Sequence, residues 1–280
     1  MGGNIFKDLA EPIALENIEP TLKAYKARLA EIFPMKAISF QFFELVGSGG
    51  KKEISGDLDI AIDWTLIVRH FTKTEIEKWG VDYDKWEKRY TKISKRARTA
   101  TDSMCKMRAL LEEIKEIMFQ SGIKIGGKST AGNIFTCFPQ FDEMGITNKH
   151  VQIDWMVGDA VWLRWAYYSH GEPNLKGLHR TQFIVAAFSE MNKTFNHFEG
   201  VKEKGSSEWT ITSPSEAVEC LSKLYGPLSI EQTYTFKDLH SWLSKSASKQ
   251  TYNAVIERYL GILKLAKAEV PSEIRLELTI

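Results

Sequence analysis

The chain has 280 residues, 43% of them hydrophobic and 26% charged, which is an ordinary globular balance with ample material for a core. Its 37 basic and 36 acidic side chains leave a net charge of +1, so overall charge gives no sign of a nucleic-acid partner and only local clustering can. Cys105, Cys137 and Cys220 are scattered, odd in number and without CxxC spacing, which argues against a disulfide framework and a structural zinc site. The start, MGGNIFKDLAEP, lacks a signal-peptide layout, and no apolar run is long enough to span a bilayer. A soluble protein of the cytoplasm is the expectation.

Ile18, Leu22, Tyr25, Leu29 and Ile32 recur at helical spacing, with Pro20 near the start and Pro34 at the stop, and predict an amphipathic helix. A β-rich run follows over Ile38 to Val46, broken at Gly47, and a second strand over Asp57 to Trp64. From Thr72 to Gln120 the pattern is helical and charged and predicts two helices, the later one with Met104, Met107, Leu111, Ile114 and Met118 on one face. Lys124 to Phe138 and His150 to Val157 read as strands joined by a polar turn with Gly145 and Asn148. From Val161 the chain is mostly helical. The stretch with Gly200, Gly205 and Ser206, followed by EWTIT, suggests a small hairpin. Ser213-Pro214-Ser215-Glu216 is a capping box with proline at the first helical position, and Gly226 is a natural stop. Two helices near Phe236 to Ser244 and Thr251 to Ala268 finish the chain.

The stretch LVGSGGKKEISGDLDIAID, residues 45–63, carries the chemistry. Along a strand side chains alternate, so Leu58, Ile60 and Ile62 share one face while Asp57, Asp59 and Asp63 share the other. Carboxylates at i and i+2 repel each other. They are either ordinary turn residues at a strand's mouth or the ligands of a divalent cation, and hard oxygen ligands suit Mg²⁺ or Mn²⁺. Upstream, Gly47-Ser48-Gly49-Gly50 can turn sharply and offer backbone N–H groups to an anion, with Lys51 and Lys52 adding positive charge. An anion cradle beside a metal site is what a nucleoside triphosphate needs.

Val46-Gly47-Ser48 followed by Asp57-Leu58-Asp59-Ile60 resembles the signature of the polymerase-beta-like nucleotidyltransferase superfamily. The resemblance covers roughly the first domain. It calls for a third carboxylate on a neighbouring strand, which HVQIDWMV supplies as Asp154. It implies an α+β fold, a nucleotidyltransferase-type mixed sheet flanked by helices with a helical C-terminal domain. The expected domains are 1–160, catalytic and with a helical insertion near 72–120, and 161–280, mostly helical. By the same resemblance Asp57, Asp59 and Asp154 are the catalytic acids and hold two Mg²⁺ (or Mn²⁺) ions, and Gly47 and Ser48 hold the β- and γ-phosphates. Lys51, Lys176 and Arg180 are candidate nucleotide contacts, with His179 beside them. For Lys176, His179 and Arg180 a plain helix N-terminus with surface charge is an equal alternative. Asp63 and Asp159 read as strand-end residues.

A second signal lies in DKWEKRYTKISKRART, where Lys85, Lys88, Lys92 and Lys95 fall at helical spacing, with Arg89, Arg96 and Arg98 adjoining and Trp86 and Tyr90 interleaved. A basic face with aromatics can track a phosphate backbone of RNA or DNA; the alternative is a solvated helix whose aromatics face the core. Gly126-Gly127-Lys128-Ser129-Thr130 resembles the end of a P-loop without the preceding glycine and reads as a strand-edge turn. The function expected is transfer of a nucleotide from a nucleoside triphosphate to an RNA or DNA 3′ end, with release of pyrophosphate. The rivals are a protein or small-molecule acceptor, and a non-catalytic binding protein that keeps the fold.

Overall fold

Contacts divide the chain into two units, Met1–Leu163 and Arg164–Ile280. The structure is a computed structural model, and it describes residues 5–6, 8–97, 100–127, 132–170 and 177–277. The first unit runs β1 (Ile13–Ala14), α1 (Leu15–Ile32), α2 (Ala37–Phe40), β2 (Glu44–Val46), β3 (Ile54–Ser55), β4 (Leu58–Asp63), α3 (Trp64–Ile67), α4 (Lys73–Glu77), α5 (Tyr83–Ser94) and α6 (Asp102–Gln120). It continues through β5 (Lys124–Gly126), β6 (Asn133–Asp142) and β7 (Gly145–Gly158) into α7 (Ala160–Ala166), within which the units join.

Five of these strands form one mixed sheet in the order β2-β4-β7-β6-β5. β4 and β7 are parallel, and the other pairs are antiparallel. Alternation along β4 and β7 turns Leu58, Ile60, Ile62, Ile153, Trp155 and Val157 to one face, all of them buried in a common core. α1 and α6 cover that face with Tyr25, Leu29, Leu110, Leu111, Ile114 and Met118. Polar atoms in this core are paired: the Trp155 indole Nε1 donates to the Tyr25 hydroxyl at 2.8 Å, and Thr136 Oγ1 donates to the Ile153 carbonyl at 2.8 Å. The expected α+β class, a mixed sheet flanked by helices followed by a helical C-terminal part, is what the molecule has.

Several local expectations are corrected. Ile38 to Val46 is not one strand. Residues Ala37–Phe40 are helical and only Glu44–Val46 are extended. The turn brings Phe40 and Phe43 together at 5.3 Å and sets Phe43 5.2 Å from Trp155, an aromatic contact that overrides local β-propensity. Thr72 to Gln120 holds three helices rather than two, each opened by its own cap: Thr72, Asp82 and Thr101. The β6–β7 connection is a tight turn at Glu143 and Met144, since Asp142 pairs with Gly145; Asn148 lies inside β7.

The second unit contains α8 (Leu178–Glu190), β8 (Lys193–Asn196), β9 (Gly200–Glu203), α9 (Pro214–Tyr225), α10 (Phe236–Ser246), α11 (Lys249–Leu265) and α12 (Ser272–Glu277). Its core includes Phe183, Phe236 and Tyr259, with ring centroids 5.4–5.6 Å apart. The Ser213 capping box is formed, and Gly226 stops α9 at φ +105°. The hairpin lies earlier than expected, over β8 and β9, and EWTIT contributes a single bridge from Ile211 to Val201. No helix among the described residues is long and apolar enough to cross a membrane.

Candidate active site

Asp59 and Asp154 stand side by side because β4 and β7 are parallel and in register at these residues. Asp57 lies just before β4 on the same side. One carboxylate oxygen from each of the three lies within 4.8 Å of the others. Asp154 is 4% exposed and buried, while Asp57 and Asp59 are half-buried. Burial raises all three above the usual carboxylate range. Asp59 is pushed to about 7, by burial and then by the Asp57 charge; Asp154 is pushed to about 8, by burial and then by the Asp59 charge. Among the described residues, none of the three acids has a cation at ion-pair distance.

Whether a divalent cation fits is answered by Asp154. Its Oδ2 accepts a hydrogen bond from the Gln152 amide at 2.9 Å, whereas its buried Oδ1 has no partner. A buried carboxylate oxygen without a donor is costly, and a cation held among the three acids would offset that cost. Three hard oxygen donors suit Mg²⁺ or Mn²⁺.

The turn after β2 closes over the acids. Val46 is the register partner of Asp59, and Gly47 follows at φ +68°. A Cβ on Gly47 would sit 2.8 Å from Asp59 Oδ2, so both the backbone conformation and the space demand glycine. Gly50 also has positive φ, at +75°, and the Lys51 amide donates to the Ser48 carbonyl at 3.2 Å. Gly47, Ser48 and Lys51 therefore lie on one tight turn, and Gly47 is the residue of it that packs against Asp59. Burial lowers the Lys51 ammonium from its ordinary value.

Two other expected residues, Arg180 and His179, belong to the second unit. Arg180 is 3% exposed inside the second unit, where Nε donates to the Thr233 carbonyl and Nη1 to the Trp165 carbonyl, both at 2.6 Å. His179 is buried too, with Nδ1 2.8 Å from the Tyr259 hydroxyl. Lys176, Lys128 and Arg98 lie outside the described residues. Asp63 caps α3 by accepting from the Thr65 amide, and Asp159 accepts from the Trp162 amide at the start of α7.

On α5 the basic residues divide into two groups. Lys85 binds Glu113 and Glu116, both at 3.0 Å, and Arg89 binds the same two acids. Lys88, Lys92 and Lys95 are exposed and have no acid at ion-pair distance among the described residues. The aromatics do not interleave with this basic face. Trp86 is buried with its indole donating to the Lys106 carbonyl, and Tyr90 stacks on it at 5.8 Å.

Sequence patterns miss Gln152, whose amide holds Asp154. Its position two residues earlier on the same strand face is the only signal in the sequence.

No family model matches the chain, and no curated protein does. Among solved structures, the polymerase beta of Leishmania infantum, in a ternary P/T complex, is 12% identical over 89% of this chain and 79% of that chain, at a TM-score of 0.39.

Proposed function

We propose that this protein is a metal-dependent nucleotidyltransferase of the polymerase-beta-like kind, with Asp57, Asp59 and Asp154 as its catalytic, metal-holding acids. The convergence of three half-buried or buried carboxylates on one point, with one buried oxygen left without a donor, carries the reading. Asp57 and Asp59 would hold the cations in common, and Asp154 would hold the second through Oδ1. Bound there, two divalent ions supply charge neutralisation at the α-phosphate and lower the pKa of the attacking hydroxyl. Gly47 and Ser48 would receive the β- and γ-phosphates on backbone N–H groups, with Lys51 adding charge at the turn. The acceptor oxygen forms a new bond to the α-phosphorus, the bond from that phosphorus to the β-phosphate oxygen breaks, and pyrophosphate leaves. The hydroxyl proton passes to solvent; Asp154, with Oδ1 given to the cation and Oδ2 to the Gln152 amide, would act through its charge.

The acceptor we propose is an RNA or DNA 3′ end. The exposed Lys88 and Lys92 of α5 and Lys95 at its end favour it, since none has an acid at ion-pair distance among the described residues and polyanion binding needs cations that the fold has not already paired. The test is incubation with labelled nucleoside triphosphates, Mg²⁺ and separate pools of RNA, DNA and protein. Label in a polynucleotide pool supports the reading. Label only in protein or a small molecule moves the acceptor and keeps the chemistry. Label in no product at all, with intact metal binding, leaves a binding protein.

A further inference from the structure

Gln152 is 2% exposed, and both ends of its amide are used. Nε2 donates to Asp154 Oδ2 at 2.9 Å, and Oε1 accepts from the backbone N–H of Ile5, also at 2.9 Å. A backbone N–H can only donate, so the atom facing Ile5 has to be the amide oxygen. The Ile5 N–H thereby fixes which end of the amide reaches Asp154: the donating NH₂. That donor engages Oδ2 and leaves Oδ1, buried and without a partner, as the oxygen open to a cation.

The sheet explains how a residue 147 positions away comes to be there. Asp59, Asp154, Phe135 and Gly126 are successive register partners across β4, β7, β6 and β5, so they form one row on the acidic face. Gly126 has no side chain at the end of that row, and Ile5 and Phe6 occupy the space. A Cβ on Gly126 would fall 2.6 Å from atoms of both.

We propose that Ile5 and Gln152 form a positioning relay for the metal centre, in which the N-terminal segment locks the Gln152 amide and the amide aims Asp154 Oδ1 at the cation. The relay rests on the metal-binding reading above. The terminal torsion of an aspartate is broad and two-fold, so without the relay Asp154 would spend part of its time with its carboxylate plane turned from the cluster. Partners of metal ligands typically contribute a factor of about 10–100 in affinity.

The test is Mn²⁺ binding to the intact chain by titration calorimetry. The variants are Gln152→Met, which keeps the volume and removes both hydrogen bonds, and Ile5→Pro, which removes the N–H. Ile5→Ala is a control that keeps the N–H, and the Gln152→Met/Ile5→Pro double variant completes the set. The expected result is a loss of about 10–100-fold for Gln152→Met. Ile5→Pro should show a smaller loss absent from Ile5→Ala, and it should cost nothing further in the Gln152→Met background. A merely structural role would lower the melting temperature but give independent, multiplying losses or none. Unchanged Mn²⁺ affinity in the single variants, or losses that multiply, overturns the relay while the metal site stands. If the wild type itself binds no Mn²⁺, the site reading and the relay fall together. Should Gln152→Met not fold, the Ile5→Pro against Ile5→Ala comparison decides alone.

Discussion

At the scale of single residues, burial and then a neighbouring carboxylate push Asp59 up to about 7 and Asp154 up to about 8. In the unfolded chain both return to the ordinary value of 3.8. The native state therefore binds more protons than the unfolded one between about pH 4 and pH 8, and this contribution to stability falls as pH rises through that window. Replacing both by asparagine removes the effect. The melting temperature of metal-free Asp59→Asn/Asp154→Asn, minus that of the wild type, is expected to grow from about pH 4 to about pH 8 and then level. A difference that stays flat across the window would show that the two acids are not coupled to folding in this way. Metal binding demands the ionised form, so Mn²⁺ affinity should rise with pH over the upper part of the same range. Asp59→Ala, in turn, is expected to lower transfer by about 10²–10³-fold or more, the scale of losing one preorganised charge group at a reacting centre. A labelled-nucleotide assay at saturating metal checks it, and a wild-type rate would remove Asp59 from the chemistry. Asp57 and Asp59 are legible in the sequence because strand alternation puts them on one face, and Asp154 is legible only through the resemblance, which calls for a third acid on a neighbouring strand. Gln152 and Ile5 are not, because their bond joins positions 147 apart and neither residue type is diagnostic of a site.

At the scale of elements, α5 shows why a basic helix has to be read with its neighbour. Glu113 is 3% exposed, and its charge is matched by Lys85 and Arg89 reaching across from α5. Removing one partner of a buried ion pair leaves an uncompensated charge, so Arg89→Ala should destabilise the protein by about 2–3 kcal/mol, somewhat below the full cost because Lys85 remains. Lys88→Glu/Lys92→Glu touches no such pair and should change stability by about 0.5 kcal/mol or less per site. The same double reversal should weaken oligonucleotide binding and flatten its salt dependence. On a single strand, every phosphate that a lysine no longer neutralises takes about 0.7 off the slope of log affinity against log salt. Triphosphate affinity should be unchanged. Chemical denaturation and a salt titration separate the two roles, and equal slopes for wild type and double variant would take α5 out of acceptor binding. Periodicity marks the helix and its lysines, but it cannot say which cations the fold uses, because Glu113 and Glu116 lie on α6, the next helix along the chain. The same limit explains the misread stretch before β2. Phe40 and Phe43 look like strand residues locally and are turned into a helical bend by Trp155, which arrives from β7.

At the scale of the whole molecule, the acids, the Gly47 turn and the α5 lysines all belong to residues of the first unit, which has a continuous core of its own. The second unit has a separate aromatic core around Phe183, Phe236 and Tyr259. A ligand stabilises only the cooperative unit whose native form it binds. At a cation concentration about 100 times the dissociation constant the gain is about 2.7 kcal/mol. For a unit of this size that corresponds to roughly 5–10 °C in melting temperature. Differential scanning calorimetry of the intact chain should therefore show two transitions, of which Mg²⁺ or Mn²⁺ raises one and leaves the other in place. Asp59→Asn/Asp154→Asn should abolish the shift without merging the transitions. A single transition that moves as a whole would mean that the two units unfold together, and two transitions that both move would mean that the second unit takes part in holding the cation. Only the second of these results would enlarge the metal centre beyond Asp57, Asp59 and Asp154.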